Sequence, residues 1–138
     1  MLDLSKIYNF IHTRRKDIHR EFLSIFEYFF IRVYTVVIFL LNLIIWLIAR
    51  KMNNNVSQDL VILHYNIDFG VDLIGNVSKI FTIPFIGLLI IFINFILLFN
   101  LSKHKHFQFL AHLLLIGSLF VNLFLLFSIS AIYFINFR

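Results

Sequence analysis

Residues 80–102 read IFTIPFIGLLIIFINFILLFNLS, twenty-three positions without a charged side chain. A helix rises ~1.5 Å per residue and the hydrocarbon core of a bilayer is about 30 Å thick. The stretch is long enough to cross that core as one helix. Its proline, Pro84, falls in the first turn, where a missing N–H costs little. Two further uncharged runs flank it, residues 33–49 and 107–137. The last exceeds the bilayer core at ~1.5 Å per residue, so tilt or a projecting end is expected.

The bulk composition agrees with that solvent. The 138-residue chain is 61% hydrophobic, 18% aromatic and 14% charged. A soluble domain carries about 25% charged residues, so this chain has too few to cover a water-facing surface. There is no cysteine, which excludes disulfides, thiolate metal sites and thiol nucleophiles. A net charge of +5 is compatible with nucleic acid, but no basic stretch is interleaved with a recognition motif. No nucleic-acid partner and no cofactor are expected. The first apolar run begins about thirty residues in and has no small-residue cleavage pattern after it, so it reads as a retained signal anchor.

The pattern predicts an all-α integral membrane protein in one domain. An amphipathic helix over residues 2–27 leads to span 1 (29–49), a loop (50–79), span 2 (80–101), a turn (102–106) and span 3 (107–137). Leu4, Ile7, Ile11, Ile18, Phe22, Ile25 and Phe29 recur near one helical stripe, with Arg14, Arg15, Lys16 and Arg20 beside it. Such a helix lies on a membrane with its cations toward anionic head groups. The simpler role of those cations is topogenic. Eight Lys and Arg fall on the side of the N-terminus and the 102–106 turn, Lys103 and Lys105 among them, against four on the other. The N-terminus is therefore expected in the cytoplasm and the C-terminus outside. The 50–79 loop, which opens with the polar stretch Asn53-Asn54-Asn55, is then expected outside, as a flexible connection at that end.

That loop contains LHYNIDFGVDLIG, residues 63–75. Polar and apolar residues alternate from Leu63 to Asp68, which places His64, Asn66 and Asp68 on one face of an extended segment. Phe69-Gly70 can turn the chain. A short strand or hairpin on the outer membrane surface follows, with Tyr65 and Phe69 packed into the interface.

His64, Asn66, Gly70, Asp72 and Lys79 carry a resemblance. The segment resembles the first extracytoplasmic loop of SdpI-type membrane proteins, whose pattern is Pro-x-His-x-Asn-x-x-Gly-x-x-Asp. The His-to-Asp spacing agrees, Gly70 sits one residue late, and no proline precedes His64. The resemblance covers about residues 30–100. It implies a bacterial plasma-membrane protein with an immunity-like or signalling-like role, binding or sensing a ligand or peptide outside the membrane.

Other polar groups have two readings each. His64, Asp68 and Asp72 could hold a divalent metal, although hydrogen bonding within the loop is the simpler role, and no metal is expected. Lys103-His104-Lys105-His106, with His112 two turns on, could bind metal or titrate, although a basic turn is more simply topogenic. His112 alone lies inside a span, so no facing pair for haem exists. Asn42, Asn94 and Asn122 lie within spans. Depth counting at ~1.5 Å per residue sets Asn42 level with Asn122, so the two are expected to bond across spans 1 and 3. Gly87 and Gly117-Ser118 are the expected points of close helix contact.

No catalytic constellation stands out. The chain is expected to be a non-catalytic membrane protein that binds through its outer loop. The alternative is an accessory subunit of a larger membrane complex or a homo-oligomer. A transporter component ranks third, because no Asp, Glu, Lys or Arg lies deep in a span.

Overall fold

The computed structural model describes residues 23–55, 60–66, 68 and 70–137, with the backbone alone at Tyr65 and Asn66. Arg14, Arg15, Lys16 and Arg20 and most of the expected amphipathic helix lie outside the described residues. Just before the first long helix, Phe26 N donates to Leu23 O at 3.0 Å, and Ile25 is buried.

Three long helices follow: α1 (Phe29–Asn55), α2 (Thr82–Leu101) and α3 (Phe107–Phe137). Each, with the 3₁₀ turn Val77–Phe81 added to α2, is long and apolar enough to cross a membrane. Between α1 and α2 stand two antiparallel strands, β1 (Leu60–Asn66) and β2 (Gly70–Asn76). α3 packs against both other helices, and α1 against α2 less extensively.

α1 continues past residue 49, where the sequence reading ended it, through Asn53-Asn54-Asn55. The reason is its inward stripe. Ala49 and Met52 continue the core series of Ile31, Ile38, Asn42 and Ile45, while Arg50 and Lys51 face outward. Met52 is wholly buried among Val61, Ile80 and Ile129. The Lys51 ammonium lies 5.3 Å from the Tyr133 ring centroid, a cation–π distance.

The buried positions of all three helices are three, four or seven apart. α2 buries Pro84, Gly87, Ile91 and Leu98; α3 buries Phe107, Ala111, Leu115, Ser118, Asn122, Ile129 and Ile132. That spacing lets side chains of one helix seat between those of another. The result is two apolar clusters. One holds Ile31, Ile38, Ile91, Leu98, Ala111 and Leu115; the other holds Ile45, Ala49, Met52, Val61, Ile80, Ile129 and Ile132.

A polar layer separates the clusters. Asn42 Nδ2 donates to Pro84 O at 3.1 Å and to Asn122 Oδ1 at 3.2 Å, and Asn122 Nδ2 donates to Ser118 O at 3.0 Å. One amide network thus joins all three helices. Gly87 makes room for it: a Cβ there would lie 2.4 Å from Asn42 Nδ2 and 2.8 Å from Asn122 Oδ1. Gly117 corrects an expectation. It is exposed and a Cβ there would meet nothing within 4 Å, so the close contact on α3 falls one residue on, at buried Ser118.

Among the described residues, Thr35 Oγ1 and Ser118 Oγ are buried with no hydrogen-bond partner. An unsatisfied buried hydroxyl costs about 1–3 kcal/mol. Ser118→Ala is therefore expected to raise stability by about 1 kcal/mol. The measurement is the emission of Trp46, which packs on Phe81 at 5.7 Å, during denaturation in mixed micelles. A loss of stability would mean that the hydroxyl is bonded.

Candidate functional site

The hairpin rises from the end of the bundle where α1 stops. Its register pairs Leu60 with Asn76, Val61 with Gly75 and Ile62 with Ile74. It then shifts, pairing His64 with Leu73, and shifts again, pairing Tyr65 with Val71 and Asn66 with Gly70. β1 spends one extra residue, Leu63, and β2 spends one extra, Asp72, so the two irregularities cancel. At Leu63 and His64 the side chains alternate as expected, Leu63 half-buried against the bundle and His64 exposed.

Two contacts mark this stretch. Leu63 turns inward and packs with Val77 and Phe81 against the bundle. It crosses directly over Gly75, where a Cβ would lie 2.6 Å from Leu63 Cδ1. His64 and Asp72 meet on the outer side, Nδ1 to Oδ1 at 2.7 Å. The pair is open, with the side chains 62% and 43% exposed. An exposed pair of this kind contributes about 0–1 kcal/mol, so the fold does not depend on it. With Nδ1 against the carboxylate, the neutral ring carries its proton on Nδ1. Nε2 is then a hydrogen-bond acceptor offered to solvent.

The remaining expected residues divide. Gly70 has φ +78°, the left-handed region that a three-residue hairpin loop requires at its close. Asp68 is exposed in that turn, and Asn66 pairs with Gly70 through the backbone. Lys79 lies in the 3₁₀ turn, where its carbonyl accepts from Thr82 Oγ1 at 2.7 Å; a Cβ at Gly75 would lie 3.4 Å from Lys79 Cδ. Among the described residues, no group of three or more His, Asp or Glu is placed to hold a metal ion.

What positions the hairpin is a residue the sequence reading passed over. Asn136, one residue from the end of α3, meets the outer edge of β1 with both ends of its amide. Ile62 N donates to Asn136 Oδ1 at 2.9 Å, and Asn136 Nδ2 donates to Ile62 O at 2.8 Å. The side chain thereby stands in for a neighbouring strand. The available signal was a polar amide near the end of an otherwise apolar run, the same signal that singled out Asn42 and Asn122.

At the far end of the bundle, the turn between α2 and α3 exposes Lys103, His104, Lys105 and His106. His112 is separately engaged, stacked on Phe30 at 4.0 Å with Tyr34 edge-on at 5.9 Å.

No family model, curated protein or solved structure matches this chain.

Proposed function

We propose that this chain is a membrane-embedded binding module whose hairpin is the recognition surface, without catalytic activity of its own. The reading puts the N-terminus in the cytoplasm and the hairpin outside, in a bacterial plasma membrane. It agrees with the immunity-like or signalling-like role that the SdpI-type resemblance implies.

One observation carries it: the hairpin is held on one edge and, among the described residues, unpaired on the other. Asn136 occupies the β1 edge, and Val61 and Leu63 anchor that strand in the bundle. Among the described residues the far edge of β2 pairs with no strand. Beside that edge, Val71, Leu73 and Ile74 are exposed, and the His64–Asp72 pair adds a polar group. An open strand edge binds an extended peptide through main-chain hydrogen bonds, and adjacent side chains select it.

The test is replacement of His64, Asn66 and Asp72 by alanine together. Proteins retained by wild type and variant on purification in mild detergent are compared by mass spectrometry. A binding module loses its partner at least about tenfold, about 1.4 kcal/mol, while membrane insertion is normal. Equal recovery would sink this reading.

The second reading, an accessory subunit, rests on a groove of about 340 Å³ along α1 and α2, lined by Phe39, Phe85, Leu88, Phe92 and Phe95. A partner helix seated there would survive the triple substitution and be lost on Phe92→Ala.

A further inference from the structure

We propose that the turn between α2 and α3 is a phosphate-binding site, of the chemistry carried by the head group of an anionic membrane lipid. It lies at the opposite end of the bundle from the hairpin and does not depend on the hairpin's role.

The turn is built as a concavity. Residues 102–106 of the turn, together with Tyr28 and Gln108, line a cavity of about 400 Å³. Its wall is firm: the Tyr28 ring packs against Phe107 at 5.5 Å, and Phe107 N donates to His104 O at 2.9 Å. Lys105 brings an ammonium group to its lining, with Lys103 beside it.

The histidine is pre-set as a donor. His106 N donates to His104 Nδ1 at 3.2 Å. A ring that accepts at Nδ1 carries its proton on Nε2, and so presents an N–H to a ligand even when neutral. His64 has the opposite arrangement, with its proton toward Asp72.

Depth selects the source of the phosphate. The turn joins the ends of two helices long and apolar enough to cross a membrane, which sets it at head-group level when they do. Basic pockets between such helices bind lipid head groups. The cavity at the other end is mostly apolar. The one beside Lys51 is about 240 Å³ and is lined otherwise by Ile48, Ser130, Tyr133 and Phe134.

The experiment uses the whole chain purified in a neutral detergent, where topogenic effects of charge play no part. Retention of phosphatidylglycerol and of phosphatidylcholine is read by native mass spectrometry. Wild type is expected to favour phosphatidylglycerol at least about fivefold. Lys105→Gln is expected to lower its retention about fivefold, the equivalent of the ~1 kcal/mol one cation contributes. His104→Ala lowers it as well, Lys105→Arg preserves it, and Lys51→Gln leaves it unchanged. Displacement by inorganic phosphate identifies a free anion as the ligand of the same site; resistance to it identifies the lipid. Equal retention of the two lipids, or a loss with Lys51→Gln as large as with Lys105→Gln, overturns the site.

Discussion

Gly87→Val lowers the stability of the bundle by about 3 kcal/mol. The new Cβ would lie 2.4 Å from Asn42 Nδ2, 2.8 Å from Asn122 Oδ1 and 3.1 Å from Leu125 Cδ1. A flexible side chain could step aside, but Asn42 is held by bonds to Pro84 O and Asn122 Oδ1. Moving it forfeits interhelical hydrogen bonds of about 0.6–1.7 kcal/mol each, and overpacking costs about 1–3 kcal/mol more. Removing a mid-helix glycine returns at most about 1 kcal/mol of helix propensity, so the clash wins. The midpoint of Trp46 emission during denaturation in mixed micelles gives the cost. The same substitution beside Asn42→Ala should cost at least about 1 kcal/mol less, because the obstructing amide is gone. Equal costs in the two backgrounds would place the strain elsewhere.

Asn136→Ala acts differently, by releasing the hairpin from the bundle. It leaves Ile62 N–H and C=O without their partner. Two partly buried hydrogen bonds at about 1 kcal/mol each imply local opening eased by about 2 kcal/mol, or about 30-fold. Amide exchange at Ile62 and along β1 should accelerate by that factor. The helices should exchange much as before, since Asn136 touches the hairpin through one strand. Asn136→Asp keeps an acceptor for Ile62 N–H and loses the donor to Ile62 O, so it should fall between wild type and alanine. Unchanged exchange at Ile62 would mean that the apolar contacts of Val61 and Leu63 hold the hairpin alone.

Both effects arise from amides, and the sequence disclosed them unequally. Depth counting placed Asn42 and Asn122 at one level, and their side chains bond. The same count did not reveal that Pro84 O shares the donor, because which backbone carbonyl faces another helix leaves no mark in the residue pattern. Asn136 was overlooked because its partner is a strand backbone, set 74 positions away by a fold that composition does not describe. His64 and Asp72 were legible as neighbours in the loop. Their contact at 2.7 Å comes from the pairing of the two strands, which alternation along one of them does not specify.

The extent of α1 was misjudged for a related reason. Arg50, Lys51 and three asparagines look like a loop, yet Ala49 and Met52 keep the inward face going to Asn55. Inward and outward faces were equally hard to separate along α2, which is apolar on all sides. Lipid tails are as apolar as a leucine core, so hydrophobicity does not mark which side is buried.

What the sequence determined by itself is therefore the choice of solvent-compatible elements: three uncharged runs long enough, with their flanks, to cross a bilayer, and a patterned segment between the first two. Length and apolarity suffice for that, because an apolar environment forces the backbone to satisfy its hydrogen bonds within each helix. Tertiary structure alone decided which faces meet, where the amide layer lies, and how Asn136 fixes the hairpin. These are pairings between residues far apart in the chain, and no local pattern encodes them.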